Sequence, residues 1–301
     1  MTTPHDAGPP GEQASHFEVR TVAVLGAGTM GHGIAQVAAQ AGYRVVLRDL
    51  SDELVARGLR SVEKNLDKGV ERGKVTAEER DRALSLLSGA TALEAAADAD
   101  LFVEAVPERL DLKRETLRQI EAVARRADFV FATNTSSLSI TEIAERARRP
   151  DRVVGMHFFN PVHIMRLVEI VVGRETSEQT AAAVRAVAAR MRKEPITVRD
   201  VPGFASSRLG VALGLEAMRM VEEGVASAKD IDAAMELGYN HPMGPLRLTD
   251  LVGLDVRLHI AEYLHEKLGA EHFRPPDILR RMVAEGRLGK KAGEGFYKWT
   301  E

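Results

Sequence analysis

Residues 21–49 read TVAVLGAGTMGHGIAQVAAQAGYRVVLRD, and this stretch decides the fold. The apolar run 21–25 has the β-branched character of a strand buried on both faces. It runs straight into Gly26-Ala27-Gly28-Thr29-Met30-Gly31, a GxGxxG turn, and then into a helical pattern over 32–41. Gly42-Tyr43 ends that helix, and a second apolar run closes on Asp49. Strand, glycine turn, helix, strand and terminal acid are the full context in which GxGxxG binds a dinucleotide. Gly26 permits the tight turn, Gly28 lets backbone amides reach a pyrophosphate, and Gly31 allows helix and strand to pack closely. The helix N-terminus supplies positive potential for the phosphates. Asp49 is placed to accept from ribose hydroxyls and repels a 2′-phosphate. The pattern therefore favours NAD over NADP, with Arg48 keeping NADP as the minor alternative.

Further along, short apolar runs alternate with helical spacing: DLFVEAV (100–106), DFVFATN (128–134), RVVGMHFFN (152–160) and RLVEIVVG (166–173). The alternation predicts an α/β domain with a doubly wound, mostly parallel sheet. After ITVRD (196–200) the punctuation changes. Helical patterns follow one another over 205–223, 228–237, 247–269 and 276–286, predicting a smaller all-helical domain. The expected division is a disordered leader over 1–17, a Rossmann-like nucleotide-binding domain over 18–200 and a helical domain over 201–301. The helical domain is expected to help bind substrate and, by analogy, to pair two copies into a homodimer.

Composition narrows the chemistry. The 301 residues carry a formal net charge of −3 and no cysteine. Thiol catalysis, thiolate metal sites and disulfides are thereby excluded, and no metal is expected. A slightly acidic chain is a poor match for nonspecific nucleic-acid binding. No apolar run approaches the roughly 20 residues of a membrane span, and the Pro/Gly-rich start has no signal-like apolar segment. The expected setting is cytoplasmic.

Ligands of an open parallel sheet bind at the carboxyl ends of its strands. Two predicted strands end there in polar groups, one at Asn134-Thr135-Ser136 and the other at His157. Glu169 follows His157 by twelve positions, inside LVEIVV. An isolated histidine is more often structural than catalytic, and Glu169 alone could be an edge-strand charge. A buried carboxylate needs a partner, however, and His157 is the natural one; the two together make a competent general base.

The segments GAGTMGHGIA, VEAVPE, NTSSLSIT, GMHFFNPV with LVEIV, DVPGF, HPMGPLRLTDLVGLD and GKKAGEGFY resemble, in order and through both domains, the short-chain L-3-hydroxyacyl-CoA dehydrogenases, and among them the bacterial 3-hydroxybutyryl-CoA branch. The resemblance implies interconversion of an (S)-3-hydroxyacyl-CoA and a 3-oxoacyl-CoA with NAD. It implies that His157 takes the proton of the 3-hydroxyl, that Glu169 orients it, and that Ser136 bonds the substrate oxygen beside the cofactor. Glu108, Lys113, Asn134, Asn160 and Lys291 match positions lining the cofactor site; as bare sequence, Lys113 and Lys291 are simply solvated charges. Where the family has Asn-Arg after PGF and two residues, this chain has Ser207-Arg208. Ser207 is thus a candidate catalytic contact with a shorter side chain and fewer donors. Arg57, Arg60, Lys64, Lys68 and Arg72 share one helical face. On composition this is a solvated stripe balanced by Glu53, Glu63, Asp67 and Glu71. The resemblance assigns the region to coenzyme A, with Asn65, Lys68 and Arg72 as the implied contacts. Two competing functions are a dehydrogenase of a free hydroxy acid or sugar acid, which would not need the basic stripe, and a non-catalytic NAD-binding protein, which Ser207 alone supports.

Overall fold

The computed structural model describes residues 17–299, so the expectation of a disordered leader lies almost wholly outside the described residues. Phe17, assigned to that leader, has its ring under the Arg152 guanidinium and packs on the core.

The chain begins β1 (Thr21–Leu25), α1 (Thr29–Gln40) and β2 (Arg44–Arg48). Two helices, α2 (Asp52–Glu71) and α3 (Ala77–Ser85), lead to β3 (Leu87–Ala90). Then follow β4 (Leu101–Glu104), α4 (Leu110–Val123), β5 (Val130–Thr133), α5 (Ile140–Ala144), β6 (Val153–Phe158), β7 (Leu167–Val172), α6 (Glu178–Arg190) and β8 (Glu194–Arg199). The eight strands form one sheet in the order β3-β2-β1-β4-β5-β6-β7-β8. Every neighbouring pair is parallel except β6 and β7. The strand order reverses between β1 and β4, the place where such sheets hold their ligand.

Both faces of the sheet are covered, which explains the continuous apolar runs. On one face Val22, Val24, Leu47 and Val103 pack on α1 and α6 through Ile34, Val37, Val184 and Val187. On the other, Ala23, Leu25, Phe102 and Phe131 pack on α4 and α5 through Leu117, Ile120, Ile140 and Ile143. Each fully buried aliphatic or aromatic side chain contributes about 1.5–3 kcal/mol before entropy is counted. Strand β3 has no sequence signature: Leu-Ser-Gly-Ala is half-exposed and lacks β-branched residues.

The remaining helices are α7 (Ser206–Glu222), α8 (Ala228–Gly238), α9 (Pro245–Val252), α10 (Leu254–Leu268) and α11 (Asp277–Ala284). They close on a separate core of Val211, Leu215, Met218, Leu246, Leu254, Leu264 and Phe273. The single helix expected over 247–269 is two, because Gly253 between them has φ 104°, which no helix accommodates. No helix among the described residues is long and apolar enough to cross a membrane.

Candidate active site

The glycine turn is built by close backbone approach. Gly26 has φ +99°, and a Cβ there would lie 2.7 Å from the Ala105 carbonyl oxygen, just past the end of β4 across the switch point. A Cβ on Gly31 would lie 1.6 Å from the Gly26 carbonyl oxygen. At Gly28 a Cβ would meet nothing within 4 Å, so the space over the turn is open. Thr29, Met30 and Gly31 form the first turn of α1, whose amides have no intrahelical acceptors. Asp49 accepts from the Ala27 amide at 2.7 Å and the Leu50 amide at 2.6 Å, so its carboxylate is fixed against the turn. Open space, free amides and a held carboxylate fit a dinucleotide.

The strand ends beside it carry the polar cluster. The Asn134 amide donates to the Glu104 carbonyl at 2.7 Å, and the Asn134 side-chain oxygen accepts from the Phe158 amide at 2.9 Å, joining the ends of β4, β5 and β6. Glu108 Oε1 accepts from the Thr135 hydroxyl at 2.6 Å, the Ser136 amide at 2.9 Å and the Ser136 hydroxyl at 3.2 Å. Burial would raise the Glu108 carboxyl, but the Lys113 charge and these donors outweigh it and hold it below the usual range. Ser136 is thus held by Glu108 at the mouth of the site.

Lys113 departs from expectation. It is fully buried, not a solvated charge. Its ammonium donates to both oxygens of Glu104, at 2.8 and 3.0 Å, and lies 3.4 Å from Glu108. Glu104, also fully buried, accepts further bonds from the Thr133 hydroxyl at 2.6 Å and the Val106 amide at 2.7 Å. Burial nevertheless dominates and pushes the Glu104 carboxyl up. Glu104 escaped the sequence reading although its signal was present: a carboxylate in an apolar strand, as at Glu169.

His157 and Glu169 face each other directly across the antiparallel β6–β7 ladder. His157 Nδ1 lies 2.7 Å from Glu169 Oε2. An ionised carboxylate only accepts, so Nδ1 carries the hydrogen and Nε2 is left with its lone pair. Phe159 and Phe204 flank the ring at centroid distances of 4.5 and 6.0 Å. Glu169 Oε1 accepts from the amides of Ala205 (3.1 Å) and Ser206 (2.8 Å), and Oε2 from the Ser206 hydroxyl at 2.7 Å. Burial would raise the Glu169 carboxyl, yet the bonds from His157 and Ser206 hold it below the usual range. Ser207, singled out from the sequence, stands beside Ser206 in the first turn of α7 and makes no side-chain hydrogen bond among the described residues.

Asn160 is exposed just beyond β6. Lys291 pairs with Asp255 of α10 at 2.6 Å, within the helical domain, and no contact among the described residues joins it to the glycine turn. Of the basic stripe, only Lys68 and Arg72 line a groove of about 640 Å³ that also includes Gln36, Asn65, Arg166 and Lys193; Arg57, Arg60 and Lys64 do not. Asn65 donates to Gln36 at 3.2 Å. Lys193 is buried, and its ammonium donates to the carbonyls of Val162 and Met165 (2.8 Å to the latter), tying the loop after β6 to the start of β8. Burial lowers its pKa. Among the described residues no cluster of three His, Asp or Glu could hold a metal ion.

The NAD binding domain of the 3-hydroxyacyl-CoA dehydrogenases matches residues 21–201, and their C-terminal domain matches 203–299. The chain is 45% identical over 285 residues to the probable 3-hydroxybutyryl-CoA dehydrogenase of Bacillus subtilis, covering 95% of this chain and 99% of that protein. It is 43% identical over 282 residues to the 3-hydroxybutyryl-CoA dehydrogenase of Mycobacterium tuberculosis, covering 93% and 99%. The crystal structure of (S)-3-hydroxybutyryl-CoA dehydrogenase from Ralstonia eutropha superposes with a TM-score of 0.91 at 42% identity, covering 94% of this chain and all of that one. The chain belongs to the 3-hydroxyacyl-CoA dehydrogenase family, as an NAD-dependent enzyme of its bacterial branch.

Proposed function

We propose that the protein interconverts (S)-3-hydroxybutyryl-CoA and acetoacetyl-CoA, with His157 as general base. The observation that carries this reading is the His157–Glu169 pair at 2.7 Å, at the carboxyl end of β6 beside the Ser136 loop. In the oxidative direction His157 Nε2 accepts the 3-hydroxyl proton, and the O–H electron pair becomes the second C=O bond. Bound NAD supplies the acceptor for the C3 hydride. Glu169 stabilises the imidazolium that forms, and the Ser136 hydroxyl, turned from Glu108, donates its one proton to the substrate oxygen. Proton transfer of this kind is worth about 10²–10⁴-fold.

The groove of Asn65, Lys68 and Arg72 supports a phosphorylated coenzyme A tail, and the fixed carboxylate of Asp49 supports NAD over NADP. The exposed Leu209, Leu248, Leu251 and Val256 of α7, α9 and α10 support pairing with a second copy.

The test compares NADH oxidation with acetoacetyl-CoA and with free acetoacetate, in the parent and in His157→Gln. Activity on the thioester alone, lost by about 10²-fold or more in the variant while NADH still binds, is the expected result. Equal rates on both substrates would reject the CoA reading, and full turnover in His157→Gln would reject the base.

A further inference from the structure

The geometry points to Ser206 as a positioning residue for the general base, an inference that rests on the reading of His157 above. Glu169 Oε2 is shared by two donors, His157 Nδ1 and the Ser206 hydroxyl, each at 2.7 Å. Oε1 is occupied by the amides of Ala205 and Ser206. The carboxylate is fully buried, and among the described residues His157 is the one charged or titratable side chain that hydrogen-bonds it. Its negative charge is therefore divided among four donors, three of which come from the start of α7, a 17-residue helix.

This division sets how strongly Glu169 draws on His157. While His157 is neutral, Ser206 and the two amides carry most of the compensation for the buried charge. Once His157 is protonated, the imidazolium carries it. A strong Ser206 bond thus stabilises the neutral-histidine state relative to what Glu169 alone would give, keeping His157 available as a base. The hydroxyl also fixes the carboxylate rotamer, because Oε2 must meet both partners at once. Ser206 acts through Glu169 and needs no contact with substrate.

The position also separates Ser206 from Ser207. Both stand in the first turn of α7, but only Ser206 bonds the carboxylate. Glu169 belongs to the sheet and Ser206 to the helical domain, so the hydrogen bond makes the base depend on how the two domains are seated.

The experiment measures kcat/KM for NAD-linked oxidation of (S)-3-hydroxybutyryl-CoA across pH in Ser206→Ala, Ser206→Cys and Ser206→Thr. Ser206→Ala should lose about tenfold near neutrality. The midpoint of its acid limb should move up by roughly half a pH unit, because an undivided Glu169 charge favours the protonated histidine. Ser206→Thr, which keeps the hydroxyl, should restore the parental profile. Ser206→Cys, a weak donor of similar shape, should shift as Ala does, and it carries the test if Ser206→Ala does not fold. Profiles that superimpose on the parent's in Ala and Cys, whatever happens to thermal stability, overturn the inference. So does a Thr profile that matches Ala. His157→Gln in the same assay separates the two levels: an inactive His157 variant with unshifted Ser206 profiles refutes only the role of Ser206, whereas an active His157 variant refutes the base itself.

Discussion

Lys113→Met tests the polar arrangement beneath the site. The substitution keeps the apolar stem and removes the ammonium. Glu104 then keeps only two neutral donors, the Thr133 hydroxyl and the Val106 amide, in a place with no solvent access. Breaking one partner of such a buried pair costs about 3–5 kcal/mol, which for a domain of this size is a fall of roughly 6–20 °C in the unfolding midpoint. The pH dependence has a defined sign. Glu104 already has its carboxyl raised by burial, and losing Lys113 raises it further. A carboxyl raised above its unfolded value destabilises the fold when ionised, so the deficit is full at higher pH and shrinks as pH falls through the folded-state value. Calorimetry of parent and variant should therefore show a larger gap at about pH 8 than at about pH 5.5. The double variant Glu104→Gln/Lys113→Met, which removes both charges of the fully buried pair, should recover more than half of the loss. A drop of less than about 3 °C, or a gap that widens on acidification, would refute the reasoning.

Two further outcomes are expected. Gly31→Ala drives a Cβ to 1.6 Å from the Gly26 carbonyl oxygen, a contact that only a backbone shift relieves, so NADH affinity by fluorescence titration should fall by about 10²-fold or more. Reversing the groove charges in Lys68→Glu/Arg72→Glu should raise KM for acetoacetyl-CoA about tenfold, leave KM for NADH unchanged and lose much of its effect at high salt; an unchanged KM would detach the groove from coenzyme A.

Local signals made most of the nucleotide-binding half legible. The glycine turn, its helix and Asp49 lie within 29 consecutive residues, and apolar runs with period and punctuation marked six of the eight strands outright. His157 and Glu169 stood out because each interrupts a buried strand. What stayed hidden depends on contacts between distant segments. Lys193 reaches carbonyls 28 and 31 residues upstream, and nothing in MRKEP marks that reach. Ser206 meets Glu169 across 37 residues, and the adjacent Ser207 is indistinguishable from it in composition. Lys113 has the helical surroundings of a surface residue, and only the buried Glu104 opposite it explains its place.

The antiparallel ladder between β6 and β7 has a consequence for what the general base can tolerate. Because His157 and Glu169 are paired by strand register, their spacing is set by the ladder. A one-residue slip would send Glu169 to the opposite face and part it from His157, so the register has to be kept to the residue. The connection over 159–166 is itself anchored, by Val162 in the core and by Lys193 on the Val162 and Met165 carbonyls, and it borders the groove through His163 and Ile164. The pair is therefore held at two levels, by the ladder itself and by the packing of the segment that joins its strands.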